Sequence, residues 1–269
     1  MRVLVPVDGS PVSHRILSVV DRLPRLRETE VVLAQVVAAP DPARPAGEVD
    51  EAVAHLARVA DEVRRSGLRL EPFVLAGDPA EEVLRLARVV GPALLVMATH
   101  GEGDSSATRG AVAERVLERC PCPLLLCSRS ALPLDPALGF RRILVPLDGT
   151  ATSASILEPV EELAREHRSE VVLLHVDPFE DDRAGSLAEL EGARARLAAA
   201  GVEVRTLAAT GDPATAIVDA VRSEVVELLA MTSHSQGGAA KRWFGSVADA
   251  VIRHVDCPLL VVRVARPTA

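Results

Sequence analysis

Val5-Pro6-Val7-Asp8-Gly9-Ser10 recurs as Val145-Pro146-Leu147-Asp148-Gly149-Thr150, 140 residues further along the chain. The same displacement carries Val31-Val32-Leu33-Ala34-Gln35-Val36 onto Val171-Val172-Leu173-Leu174-His175-Val176. Beyond that point it shortens. Gly77-Asp78-Pro79-Ala80 returns as Gly211-Asp212-Pro213-Ala214, and Thr99-His100 as Ser233-His234, both at 134; Cys122-Pro123-Leu124-Leu125 returns as Cys257-Pro258-Leu259-Leu260 at 135. The landmarks keep their order, so the chain is a tandem repeat. The six residues missing from the second copy fall between its second strand and Gly-Asp-Pro, in a connection or the second helix, where changes of length are tolerated.

Within each copy, short β-branched apolar runs alternate with amphipathic stretches rich in Ala, Leu, Arg and Glu, the pattern of βαβ units. In the first copy the runs predict strands near residues 2–7, 30–37, 68–75, 93–98 and 124–128, with helices between them. Asp78-Pro79 and Asp212-Pro213 each read as a helix N-cap followed by proline in the first turn. Strands as continuously apolar as Val31–Val37 and Val171–Val176 belong to a parallel sheet covered on both faces. Each copy is therefore expected to be an α/β domain with a doubly wound, Rossmann-like sheet. The 269 residues suit two such domains, 1–130 and 141–266, joined by a linker from Arg129 to Arg141 that contains Pro133 and Pro136. In that architecture ligands bind beyond the carboxyl ends of the strands where strand order reverses, which for five strands in the order 3-2-1-4-5 lies between the first and fourth.

Composition narrows the partners. Thirty basic residues against 38 acidic ones leave a formal charge of −8, which repels polyanions and excludes nucleic acid as the expected partner. No apolar run approaches the roughly 20 residues of a membrane span, and Met1 to Val7 reads as a strand rather than a signal peptide, so a cytoplasmic, soluble protein is expected. Cys120, Cys122, Cys127 and Cys257 form no Cys-x-x-Cys pair and stand near no histidine at zinc-ligand spacing, and Cys120-Pro121-Cys122 is too tight for the usual redox motif. Buried thiols beside or within strands are their expected role, with a reactive or metal-bound cysteine as the alternative.

The segments flanking the two predicted crevices have unusual composition. Asp8-Gly9-Ser10 and Asp148-Gly149-Thr150 follow the first strands; Thr99 through Gly110 and Ser233 through Ser246 follow the fourth. A loop of glycine and serine that opens a helix offers backbone N–H groups to phosphate, and the helix dipole adds to the attraction. Gly245 and Ser246 provide this in the second copy.

Val-Pro-x-Asp-Gly-Ser/Thr, Gly-Asp-Pro, Met-x-Ser/Thr-His, Gly-Ser-Val-Ala and the closing Cys-Pro-Leu-Leu together resemble the universal stress protein family, twice over nearly the whole chain. The resemblance implies an adenine nucleotide α-hydrolase-like sheet in the order 3-2-1-4-5, association through the fifth strands, Leu124 to Cys127 and Leu259 to Val262, and in many members ATP, with or without Mg²⁺, held without rapid turnover. Pairing the fifth strands would also hide two apolar edges, and a further homodimer stays open.

Nucleotide-binding members carry Gly-x2-Gly-x9-Gly-Ser/Thr. In the second copy those positions are Thr232, Ser235, Gly245 and Ser246, with the long spacing intact and the first two glycines replaced by small hydroxylated residues. In the first copy they are Ala98, Gly101, Gly110 and Ala111, one residue short and without the hydroxyl. Charge agrees: Glu102, Asp104 and Arg109 leave the first loop negative, whereas Lys241, the chain's single lysine, and Arg242 make the second positive. By the same resemblance Asp148 meets the adenosine moiety and the backbone at Val176 the adenine, with Gly149, Thr150, Ser233, His234 and Val247 completing the expected site. Each has a plainer reading: Asp8 and Asp148 as turn or cap residues, His100 and His234 as loop supports, Lys241 and Arg242 as a solvated shoulder, Trp243 and Phe244 as loop packing. Three functions remain open at this point: a nucleotide-binding regulatory protein, an adaptor that binds no nucleotide, and a slow nucleotide hydrolase. The chain contains neither Gly-x4-Gly-Lys-Ser/Thr nor Ser-Gly-Gly-x-Asp-Ser, which disfavours the third.

Overall fold

A computed structural model gives the fold and describes residues 1–10, 16–23, 28–37, 47–65, 68–99, 110–128, 131, 139–177, 183–234 and 246–264. The chain divides into two compact units, Met1–Pro136 and Ala137–Ala269. The first contains β1 (Arg2–Val7), α1 (Leu17–Val20), β2 (Glu30–Val37), α2 (Glu48–Arg65), β3 (Arg69–Ala76), α3 (Pro79–Val90), β4 (Leu94–Ala98), α4 (Ala111–Arg119) and β5 (Leu124–Cys127). The second contains β6 (Arg142–Pro146), α5 (Ala151–Ala154), α6 (Leu157–His167), β7 (Glu170–Asp177), α7 (Arg183–Ala199), β8 (Glu203–Thr210), α8 (Pro213–Ser223), β9 (Leu228–His234), α9 (Ser246–His254) and β10 (Leu259–Val264).

Each unit has a parallel sheet, β3-β2-β1-β4-β5 in the first and β8-β7-β6-β9-β10 in the second, so the expected 3-2-1-4-5 order holds in both. The central strands form the core. Val3–Val5, Val31–Ala34, Ile143–Val145 and Val171–Leu174 have no solvent exposure on either face, as a sheet sandwiched between helices requires. The shortened stretch of the second copy lies mainly before its second long helix. That connection takes up 38–47 in the first unit and only 178–182 in the second, and the helix falls from 18 to 17 residues. Among the described residues no helix is long and apolar enough to cross a membrane.

The central strand pairs unequally with its two neighbours. β1 follows β2 from Arg2↔Glu30 to Val7↔Gln35, but its register with β4 is limited to Val3↔Leu94 and Leu4↔Leu95. In the second unit β6 follows β7 to Pro146↔Leu174, and its register with β9 is limited to Ile143↔Leu228 and Leu144↔Leu229. The cause lies in the sequence. Hydrogen-bonding groups alternate sides along a strand. Arg142 O accepts from Glu227 N on the β9 side (3.0 Å), and Leu147 N donates to Leu174 O on the β7 side (2.8 Å). Residue 146 therefore faces β9, and as proline it has no N–H with which to continue that ladder. Pro6 stands at the same point of β1, where Arg2 O accepts from Ala93 N on the β4 side (2.9 Å).

The helix after Gly-Asp-Pro is capped as predicted in both units: Asp78 accepts from Glu81 N (3.0 Å) and Asp212 from Thr215 N (2.9 Å). Its other end differs between the copies. α3 stops at Gly91 in the left-handed region (φ 58°), a conformation glycine adopts without steric penalty. At the equivalent place after α8 stands Val225, also left-handed (φ 52°), β-branched and 73% exposed. It has little packing there to offset the penalty of roughly 1–2 kcal/mol that a side chain meets in this conformation. Val225→Gly should raise stability by up to about 1 kcal/mol once the greater freedom of unfolded glycine is set against that relief. Urea denaturation of the two proteins checks this, and a loss of stability would show that Val225 makes a compensating contact.

Candidate functional site

A cavity of about 320 Å³ opens in the second unit where the β6–β9 ladder ends. Pro146, Leu147 and Asp148 at the end of β6 form one side, and Met231, Thr232 and Ser233 from β9 the other. Leu174 and Val176 of β7 and Pro213 and Ile217 of α8 supply apolar wall, while Ser246, Val247 and Ala248 bring in the first turn of α9. Thr232 and Ser233 are buried, at 8% and 3% exposure, whereas Ser246 is exposed. The lining is thus apolar surface edged by hydroxyls and by a helix start, whose leading N–H groups have no partner within the helix itself.

The turn after β6 is held by its own side chains. Asp148 Oδ1 accepts from Thr150 N (3.0 Å) and Thr150 Oγ1 (2.6 Å), closing a turn in which Gly149 takes a positive φ of 77°. Thr150 is the N-cap of α5: its Oγ1 accepts from Ser153 N (3.1 Å), and Ser153 Oγ donates to Thr150 O (2.9 Å). His175 Nδ1 stands 3.0 Å from Leu147 O behind the same turn. The plainer reading of Asp148 therefore holds for Oδ1, while the residue also edges the cavity.

Of the residues predicted from sequence, Asp148, Val176, Thr232, Ser233, Ser246 and Val247 come together on this cavity. Gly149 and Thr150 shape the turn beside it, and His234 ends β9 in register with Val264. Ser235, Arg242 and Gly245 lie outside the described residues, as do Lys241, Trp243 and Phe244. The expectation missed Pro146, Leu147, Ser153, Leu174, Pro213, Ile217, Met231 and Ala248. Pro146 and Pro213 were within reach, since both belong to the repeated motifs that flank the crevice.

The first unit arranges the same positions differently. Asp8 Oδ1 accepts from Ser10 N (2.9 Å), and Gln35, at the place of His175, has Oε1 2.8 Å from His55 Nδ1 on α2. Gly110 caps α4 with no side-chain hydrogen bond, and its N–H donates to Thr99 O (2.9 Å). Helix α4 is then tied to α3 by ions. Arg115 donates to Asp78 Oδ2 (2.8 Å) and Glu81 Oε1 (2.7 Å), and Arg119 donates to both oxygens of Glu81. Arg115 holds the Asp78 carboxyl below its ordinary range, and Arg119 with Arg115 does the same for Glu81. Ala250 and His254 occupy the equivalent places on α9, so neither arginine of this clamp recurs there; an ion pair instead joins Arg222 of α8 to Asp256 just beyond α9 (3.6 Å). Among the described residues no group of three or more His, Cys, Asp or Glu is placed to hold a metal ion.

Comparison with known proteins agrees with the duplicated architecture. The sequence profile of the Universal stress protein family matches residues 1–128 and again 139–263. The universal stress protein YxiE of Bacillus subtilis is 29% identical over 147 residues, which are 46% of this chain and 99% of that protein. Universal stress protein MJ0531 of Methanocaldococcus jannaschii is 29% identical over 140 residues, 46% of this chain and 82% of its own length. The crystal structure of a universal stress protein from Archaeoglobus fulgidus superposes with a TM-score of 0.81 at 22% identity, covering 97% of this chain and 98% of that one, and so shares the fold.

The crevice gives a direct test of what ends the β6–β9 ladder. Pro146→Ala supplies an N–H on the β9 side, and the amide of residue 146 should be protected from hydrogen exchange like its neighbours in β6. If that amide exchanges as freely as a loop amide, the ladder ends for a reason other than proline.

Proposed function

The chain belongs to the universal stress protein family in both of its halves, and from that premise we propose that its second unit binds an adenine nucleotide, ATP, as a regulatory ligand. The observation that carries this reading is the meeting of Asp148, Val176, Thr232, Ser233, Ser246 and Val247 on one cavity at the strand-order reversal, although they are spread over a hundred residues of sequence. The apolar wall of Leu174, Val176, Ile217 and Met231 suits the faces of a purine. The hydroxyls and the start of α9 suit a sugar and phosphates, and in the sequence Gly245 directly precedes that helix with the basic pair Lys241-Arg242 a few residues earlier. About 320 Å³ lies at the lower end of the roughly 300–1,000 Å³ usual for ligand sites, which fits a base and sugar inside and phosphates at the mouth.

Bound ATP would act as a signal rather than as a fuel. In this reading the protein holds the nucleotide, with or without Mg²⁺, and its occupied and empty states differ in affinity for a partner. The first unit is the non-binding copy: Ala98 and Ala111 stand where the second has Thr232 and Ser246. A second reading, an adaptor that binds no nucleotide, is favoured by one feature. Thr232 and Ser235 replace two glycines of the family's nucleotide signature, and side chains there narrow the backbone approach that glycine allows.

Calorimetric titration with ATP and thermal melts separate the two readings. ATP at a hundred times its dissociation constant should stabilise the wild type by roughly 2.7 kcal/mol if it binds only the native state. Gly245→Val should abolish binding, and Ser246→Ala should weaken it by roughly 1.5–3 kcal/mol through loss of a charge-assisted hydrogen bond. Gly110→Val should leave it nearly unchanged. Absence of binding by the wild type would favour the adaptor, and equal losses in Gly110→Val and Gly245→Val would show that the halves are assigned wrongly.

A further inference from the structure

The nucleotide reading leaves the cysteines of the first unit unused, although two of them lie side by side. Cys120 and Cys122 have their sulfur atoms 3.5 Å apart across a single proline. The turn that carries them is anchored at both ends: Cys120 N donates to Val116 O of α4 (2.8 Å), and Pro123 O accepts from Leu95 N of β4 (3.0 Å). Cys120 is buried at 3% exposure and Cys122 is half-buried, so Cys122 is the more accessible of the two.

The second unit provides an internal comparison. Its turn is anchored in the same way, with Val255 N donating to Val251 O (3.1 Å) and Pro258 O accepting from Leu229 N (3.0 Å). It carries Val255 in place of Cys120 and a buried Cys257 in place of Cys122, whose thiol burial pushes up to about 12. The fold therefore makes this turn without a second sulfur. Cys120 is a difference between the copies that packing alone does not require.

We propose that Cys120 and Cys122 form a dithiol site that hydrogen peroxide converts into an intramolecular disulfide. In the first step the Cys122 sulfur attacks one peroxide oxygen and the O–O bond breaks. Cys122 becomes a sulfenic acid, and the other oxygen leaves as water with the thiol proton. In the second step the Cys120 sulfur attacks the Cys122 sulfur and the S–O bond breaks. The departing hydroxide takes the Cys120 proton and leaves as a second water. The two sulfurs lose two electrons in total, and hydrogen peroxide accepts them. The sulfurs need to close by about 1.5 Å to reach the disulfide bond length of roughly 2.05 Å, a movement available to two short side chains on a turn. The hydrogen bond to Cys120, with burial, holds the Cys122 thiol well above its ordinary range.

The test treats the full chain with hydrogen peroxide, blocks the remaining thiols under denaturing conditions and reads intact mass and peptides. The wild type should lose the mass of two hydrogens and two of its four thiols, with a Cys120–Cys122 link that dithiothreitol reverses. Cys120→Val, which copies the second unit's own turn, should halt at a sulfenic acid on Cys122 that dimedone traps, and Cys122→Ser should keep its remaining thiols. Retention of all four thiols under conditions that fully oxidise free cysteine would overturn the proposal. So would a link through Cys127 or Cys257, or irreversible oxygen addition to the wild type.

Discussion

A missing hydrogen-bond donor organises each half of this protein. Pro6 and Pro146 occupy the central strand at the position whose N–H would carry the ladder on to the fourth strand, and in each unit that ladder stops two residues earlier. The same strand keeps its full register with its other neighbour, so the sheet loses no coherence. The reversal of strand order already directs connecting helices away from this point. Proline adds a local release of backbone at the same place. The turn of Asp148, Gly149 and Thr150, the end of β9 and the start of α9 are all arranged around that release.

The duplication sets two solutions on one scaffold side by side. In the second unit the crevice is edged by hydroxyls from Thr232, Ser233 and Ser246. In the first, alanines stand at two of those places, and α4 is fastened to α3 through Arg115, Arg119, Asp78 and Glu81. Exposed ion pairs of this kind contribute modestly to stability, but a shared network fixes geometry. In the first copy the last helix is ion-paired to its neighbour; in the second the first turn of the last helix edges a cavity. The paired sulfurs also belong to the first copy alone. These substitutions distinguish the two halves while the fold is held constant.

Much of this was legible in the sequence, for reasons that can be named. β-branched runs such as Val171-Val172-Leu173-Leu174 have no stable place except a doubly covered strand, and Asp-Pro marks a helix start because each residue solves a separate problem of the first turn. Asp148 shows where reading from sequence divides: a carboxylate after a strand can close a turn or face a ligand, and the fold lets one residue close the turn and edge the cavity. Leu174, Ile217 and Met231 were missed because apolar residues on a wall look like any other core residues until the strands and α8 are placed around them. Ser153 was missed because its contribution depends on the short helix α5, which has no periodicity to reveal it.

In the proposed function the crevice of the second unit, and not that of the first, receives an adenine nucleotide. Titrating isotope-labelled protein with ATP while following backbone amide resonances tests it most directly. Shifts should concentrate at Val176, Thr232, Ser233, Ser246 and Val247, with Val36, Thr99 and Ala111 left in place. Shifts centred on the first-unit residues, or none at ATP concentrations found in cells, would contradict it.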